Sequence, residues 1–538
     1  MATAKSLAHR WVDEHRAVLS GWHRTIWDFA EPAWREYRSA AWFVERLRQE
    51  GFEVEAGSGG MPTAFAARWT NGPGPTVAGY AEYDAVPGNC QAAATRRGPR
   101  PGLSEFAAGH TDPHSALGIG ALAGILATKH AMTVAGITGT LKFFGEPAEK
   151  VQGSKAVHGL RGYYDGIDAI VSYHPFYMLP LCNTTRWDTH CGAYSSRIYS
   201  FICDEPERWP AAASDSPIAA AHSAARAPGA NVALFTMYAL TKATTESMLA
   251  HSGGWSLNEA ILTAGQATAD NLPAHIAQIN YAWRTPEIRM ADAILDVLDR
   301  NAEHAAATAQ CRLVKRWVSR TRPGVPNKAL AALTYDNLAE VGAPAYGAEA
   351  IRIAQDIQRG LGLTPMARPF LPACESLIAP VDAERKLREH MPGWQTHWTS
   401  DDYVEMSWYA PTVRLYIARP MLAVPPGYAG YPAWVANALG GIAACIDPTV
   451  EVAGKTIAGT LLDLLTRPEA VAQARDEFVE RTGGERFVAP LLPRDFAPPI
   501  DYRWPEYAET PRGSDWWIPH AAELEGGAAA PAAPRPGV

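Results

Sequence analysis

Cysteine is sparse and scattered. The seven residues at 90, 182, 191, 203, 311, 374 and 445 form no CxxC pair and are odd in number, which excludes a disulfide-stapled fold and reads as reduced thiols in a cytoplasmic protein. A basic excess is missing too: 48 Lys plus Arg against 56 Asp plus Glu leave a formal charge of −8, which repels polyphosphate and excludes nucleic acid as a partner. No run of about 18 uncharged apolar residues occurs, and the N-terminal MATAKSLAHRWVDEHRAV has no apolar signal core. A soluble, unexported protein without a membrane partner is therefore expected. Low complexity is confined to the final GGAAAPAAPRPGV. What is present is a 538-residue chain with 47% hydrophobic and 19% charged residues, an ordinary globular composition long enough for two domains. The 18 tryptophans stand out; most belong to core packing, and some are candidates to line a flat aromatic ligand site.

Residues 40 to 50 have helical periodicity ending at Gly51, and an extended segment, Phe52 to Glu55, follows. Strands are predicted at Thr76 to Tyr83, Thr140 to Phe144 and Ala169 to Tyr173, with a helix from Ser115 to Met132 between the first two. This alternation predicts an α/β layer structure with a largely parallel sheet, in which ligands gather beyond the carboxyl ends of strands. Asp84, Glu146, Glu149 and His174 fall at those ends. From 188 to 324 the pattern changes to long Ala-rich helices (Val232 to Ala250, Met290 to Ala307) between short strands such as Ile276 to Trp283, which reads as an inserted α+β domain. Helix and strand alternation resumes from 325 through PTVRLYIA and the helix Gly454 to Leu465. The expected division is thus 1–187 and 325–520 for one α/β domain, 188–324 for the insert and 521–538 for a flexible tail.

The densest polar cluster is AGHTDPHSALG, where His110, Asp112 and His114 stand two apart before an apolar helix. Imidazole and carboxylate suit a divalent cation such as Zn or Mn, although a capped helix start gives the same pattern. In FFGEPAEK an apolar strand runs into Glu146, Glu149 and Lys150, and a carboxylate there suits a general base or an ordinary loop. His174, in IVSYHPF, is equally a ligand or a structural histidine.

The order of these segments resembles the metallopeptidase (amidohydrolase) family of aminoacylase, hippurate hydrolase and p-aminobenzoyl-glutamate hydrolase. The resemblance begins with IWDFAEPAWREYRSA, GMPTAFAA and AEYDAVPG. It continues through AGHTDPHS, GEPAEK, YHPF, AHSAARAPGANVAL and TSDDYVEMSWYAPTV to AGKTIAGTLLDLLTRPE. It implies a two-domain fold, an α/β catalytic domain with an inserted α+β lid and dimerisation domain, hence a homodimer or higher homo-oligomer. It also implies hydrolysis of C–N bonds with bound cations. By position, Asp112 stands at a cysteine ligand of the relatives, while His114 and His174 match histidine ligands. Glu149 matches the general base, and His222 the lid histidine that reaches a neighbouring site. Asn231, Arg284 and Arg289 of the lid are substrate-binding candidates, the two arginines for a substrate carboxylate.

Two departures bear on the metal. Lys150 stands where the relatives have a glutamate ligand, and Asp447 aligns with their late histidine ligand. The expectation is therefore one divalent cation per chain, Mn or Zn, at Asp112, His114 and His174. Lys150 would pair with Asp447 in a vacated second site, with His110 as a further candidate there. The favoured activity is hydrolytic deamination of an electron-poor aromatic amine of the 5-nitroanthranilate type, a step in aromatic compound degradation. The alternatives are amide hydrolysis of the p-aminobenzoyl-glutamate or N-acyl amino acid type, and a catalytically inactive ligand-binding relative.

Overall fold

The computed structural model describes residues 3–176, 180–205, 228–249, 253–265, 273–483, 491–500 and the short strands 507–510 and 513–516. Two sheets organise them. The larger has seven strands: β1 (Glu53–Ala56), β2 (Phe65–Thr70), β3 (Thr76–Ala81), β4 (Thr140–Gly145), β5 (Ala169–Phe176), β6 (Thr184–Thr185) and, far along the chain, the strand Thr412–Ala418. The order is β1-β2-β4-β3-β5-(412–418)-β6. The central four strands are parallel, and antiparallel pairs close both edges. The sheet is therefore mixed: β2 and β6 went unread in the sequence because they are short and lack strong alternation.

The second sheet holds β7 (Ala193–Ile202), β8 (Ser256–Thr263), β9 (Ile276–Thr285) and β10 (Arg312–Thr321), all antiparallel in the order β10-β7-β9-β8. Helices Ala230–Met248 and Ile288–Thr308 pack on it. Three of these strands have 10 residues, longer than the short strands expected, since β9 alternates buried and half-buried positions with too few strong apolar residues to signal its length. The chain thus has the two-domain α/β architecture anticipated. Residues 507–510 and 513–516 form a hairpin where irregular chain was expected, and the tail 521–538 lies outside the described residues.

The helix His114–Ala135 runs through the centre of the large domain against the helix Ala443–Thr466. The two approach closely because Gly124 presents no side chain: a Cβ there would lie 2.6 Å from Ile457. His114–Ala135 is long and apolar enough to cross a membrane, yet 78% of its apolar window is buried in the protein, as in a core helix. Its first residue is His114, so core packing fixes the position of a site residue.

Candidate metal centre

The functional side chains collect at the carboxyl ends of the parallel strands. Glu82 and Asp84 follow β3 at a spacing of two, which puts both carboxylates on one side of the extended chain. The turn carrying Asp112 is pinned to the loop after β3 by paired backbone bonds between Val86 and Gly109. Only glycine fits at 109, where a Cβ would lie 1.9 Å from the Asn89 carbonyl. Glu149 and Lys150 sit in a single helical turn after β4. It is flanked by Ala148 (φ 57°) and Gln152 (φ 52°), left-handed conformations costing roughly 1–2 kcal/mol each and held by the surrounding packing. His174 lies in β5 opposite Tyr416 of the strand 412–418.

Both histidines have their tautomer fixed by an acceptor at Nδ1. His114 Nδ1 is 2.7 Å from Asp84 Oδ1, and His174 Nδ1 is 2.7 Å from the Pro175 carbonyl. Each Nδ1 therefore carries the proton, and each Nε2 lone pair faces inward, the arrangement of a metal-ligating histidine with its outer partner in place. His114 Nε2 lies 3.4 Å from Glu82 Oε2 and 3.5 Å from Glu149 Oε2. His174 Nε2 lies 3.4 Å from Asp112 Oδ2. Burial lowers the His174 pKa to about 4 despite Asp112, so the ring is neutral at physiological pH and able to ligate.

Glu82 was not singled out from the sequence. Buried Lys155 grips its Oε1 at 2.7 Å and Asp402 Oδ1 at 2.6 Å, which leaves Glu82 Oε2 buried without a hydrogen-bond partner and turned toward the two histidines. One ligand atom each from Glu82, His114 and His174 lie within 4.8 Å of one another, as do those of Asp84, His114 and Glu149. Sequence reasoning had one usable signal for Glu82: a carboxylate two residues before Asp84 at the end of a buried strand. Lys155 and Asp402 carried none, being 247 positions apart.

Lys150 does enter the cluster, but with other partners than expected. Its ammonium is 3.0 Å from His114 Nε2, 3.2 Å from Glu149 Oε2 and 3.3 Å from Asp112 Oδ2. Asp112, His114, His174, Glu149 and Lys150 are thus brought together. Burial opposes ionisation of the two carboxyls, yet His174 and Lys150 hold Asp112 well below the usual range, and Lys150 with His114 holds Glu149 at about 2.

Asp447 does not pair with Lys150. It stands near the start of the helix Ala443–Thr466, within hydrogen-bond reach of Ser20, and burial raises its pKa to about 6. A carboxyl raised above its unfolded value destabilises the fold once ionised, so this cost grows as pH rises from about 4 through 6. Asp447→Asn should therefore stabilise the protein by about 1–2 kcal/mol at pH 7, leave it unchanged near pH 4 and spare metal content. Melting curves at both pH values check this, and a loss of stability at pH 7 would refute it.

The remaining candidates separate. His110 is buried with Nε2 3.3 Å from the Ile26 carbonyl, packed on the helix Arg16–Phe29 and outside the ligand groups. Arg289 pairs with Glu287 and its side chain is 82% exposed, so it is a solvated helix-start charge and not an anchor turned to the site. Arg284 donates from Nε to Ser400 Oγ at 2.7 Å and stacks on Tyr194; Ser400 also accepts from Gln152, which links this arginine of β9 to the Glu149 turn. Asn231 stands in the first turn of helix Ala230–Met248, half-buried. His222 lies outside the described residues. Among the described tryptophans, Trp11, Trp22, Trp42, Trp69 and Trp187 pack on the large core, and Trp283 and Trp317 on the second.

No protein-family model matches the chain. One of the subunits of p-aminobenzoyl-glutamate hydrolase from Escherichia coli (strain K12) is 29% identical over 344 residues, 62% of this chain and 65% of that protein's length. The chain therefore matches somewhat less than two thirds of its curated relative. Among solved structures, the aminobenzoyl-glutamate utilization protein from Klebsiella pneumoniae superposes with a TM-score of 0.51 at 15% identity, over 83% of this chain and 98% of that one, a likeness of fold. By sequence the chain is similar to that hydrolase subunit, and it shares its fold with the aminobenzoyl-glutamate utilization protein.

Proposed function

We propose that the protein is a divalent-cation-dependent hydrolase of a C–N bond in a small aromatic, carboxylate-bearing molecule. The observation that carries this reading is the pair of inward-facing Nε2 atoms of His114 and His174, each with its Nδ1 proton committed elsewhere, among Glu82, Asp112 and Glu149. The donor set fits Mn or Zn. Glu82, Asp112, His114 and His174 would hold the ion, and loading it would exchange the hydrogen bond from Lys150 to His114. A bound dication supplies Lewis acidity and activates water at neutral pH.

The chain's own groups then divide the work. Glu149 Oε2 takes the proton from the attacking water, whose oxygen bonds to the carbon. As the C–N bond breaks, the nitrogen leaves with a proton returned from Glu149. Lys150 places fixed positive charge beside the negative charge that develops on the substrate. Among substrates, an aryl amide of the p-aminobenzoyl-glutamate type is favoured by the curated relative. Ring deamination of an electron-poor anthranilate is the second reading, favoured by Lys150 in place of a carboxylate ligand. An inactive relative would have no need of so complete a centre.

Purified protein should carry about one divalent cation per chain, because an ammonium takes the ground of a further ligand. With Mn or Zn it should release either a free amino acid from p-aminobenzoyl-glutamate or ammonia from 5-nitroanthranilate. Two ions per chain would refute the ligand assignment, and inertness toward both substrates the reaction class. Half-exposed Phe235, with Val232, Ile261 and Ile276 on the second domain, supports association there into a homodimer. Mixing Glu149→Gln with His222→Ala chains should then restore activity absent from either alone. The seven free thiols favour a reducing, cytoplasmic setting.

A further inference from the structure

Away from the ion cluster, two thiols of the second domain meet across its edge strand. Ile202 of β7 pairs with Arg312 of the neighbouring β10, so one further step in that antiparallel register sets Cys203 opposite Cys311. The backbone bonds fix the kind of pair. The Cys203 amide donates to the His275 carbonyl on the β9 side, and the Cys311 amide donates to the Ala306 carbonyl, so neither amide is spent on the other cysteine. Cys203 and Cys311 therefore form a non-hydrogen-bonded pair. The α-carbons of such pairs stand about 4.5 Å apart, within the roughly 4.4–6.8 Å that a disulfide spans.

The side chains agree with the backbone. The two thiols hydrogen-bond to each other, Cys203 belongs to the buried core of this domain, and Cys311 packs against that core. Beside them Arg312 holds Asp204 through bonds of 2.6 and 3.2 Å, which clamps the same strand ends together. Cys203 is 3% exposed whereas Cys311 is half-buried, so a reagent reaches the pair through Cys311. Cys182 and Cys374 also touch, but at 2% and 0% exposure neither is open to solvent. Burial, then the Cys203 thiol and Asp204, push the Cys311 thiol up to about 11. Thiolate is the attacking form, so exchange is slow at neutral pH and faster in mild alkali.

We propose that Cys203 and Cys311 are a disulfide-forming site, a redox-sensitive staple of the second domain that takes a small-molecule disulfide such as oxidised glutathione as its co-reactant. The Cys311 thiolate attacks one sulfur of the reagent, whose S–S bond breaks and releases one glutathione thiolate. The Cys203 thiolate then attacks the Cys311 sulfur, and the second glutathione thiolate leaves. Two cysteine thiols are oxidised to one disulfide, one glutathione disulfide is reduced to two thiols, and the two protons pass to the departing thiolates. Asp204 and Arg312, the neighbours of the pair, are 108 positions apart. The bond thus closes a loop that holds the helices Ala230–Met248 and Ile288–Thr308 with β8 and β9, and closure of so long a loop constrains the unfolded chain strongly. It also secures β10, which lies at the edge of the sheet with β7 as its strand partner.

The test is incubation of the intact, reduced protein with oxidised glutathione at pH 9, followed by acid quenching, thiol counting in denaturant and peptide mass mapping. Two of the seven thiols should disappear, with the Cys203 and Cys311 peptides joined and no glutathione retained. The cross-linked protein should melt at a higher temperature than the reduced one, and dithiothreitol should reverse both changes. Cys203→Ala should keep one glutathione on Cys311 and gain no thermal stability; the mapping on the wild type stands without that variant. Glutathione retained on wild-type Cys311, a bond between Cys182 and Cys374 instead, or seven intact thiols would overturn the site. A cross-linked protein that melts no higher than the reduced one would overturn its role as a staple.

Discussion

Glu149→Gln should lower kcat by about a hundredfold or more while leaving the metal in place. The amide keeps the shape of the carboxylate but accepts no proton, and loss of a positioned general base removes about 10²–10⁴ in rate. Metal content should survive because the proposed ligands are Glu82, Asp112, His114 and His174, while the Glu149 carboxylate is held by the Lys150 ammonium. The substitution also removes a partner of Lys150 at 3.2 Å, so the ammonium should lean further on Asp112. Steady-state kinetics with elemental analysis on the same preparation checks both halves. Near-normal turnover would remove Glu149 from the mechanism, and metal loss would make it a ligand.

His114→Ala should abolish metal binding. His114 is the residue common to the two ligand groups that surround it, and its loss leaves Glu82 Oε2 and Asp84 Oδ1 without the ring between them. Alanine is favourable in a helix, so the helix His114–Ala135 should persist. The readout independent of activity is thermal stability: a ligand at about a hundred times its dissociation constant stabilises the folded state by about 2.7 kcal/mol. Added Mn should raise the melting temperature of the wild type and leave that of the variant unmoved. An equal shift in both would place the ion elsewhere.

The limits of sequence reading are visible in particular residues. Lys150 is read as an exchange for a carboxylate from the resemblance alone, because position in a motif is a local property. Its partner is not legible that way, since pairing depends on where separate segments meet, and the helix bearing Asp447 directs that carboxyl to Ser20. The tryptophans show the same division: composition counts them, but only packing says that Trp283 and several others belong to cores.

By itself the sequence determined the layer order, the inserted domain and the ends of β3, β4 and β5 at which Glu149, His174 and the Asp112 turn would gather. These follow from short-range periodicity and from the tendency of parallel strands to present their carboxyl ends to one site. Only the tertiary structure decided that Glu82 joins the centre, because the ammonium that orients it, Lys155, is fixed by Asp402 from a distant part of the chain. Only it decided which nitrogen of each histidine faces inward. Those outcomes depend on contacts between residues far apart in sequence, where burial leaves each polar atom one available partner or none.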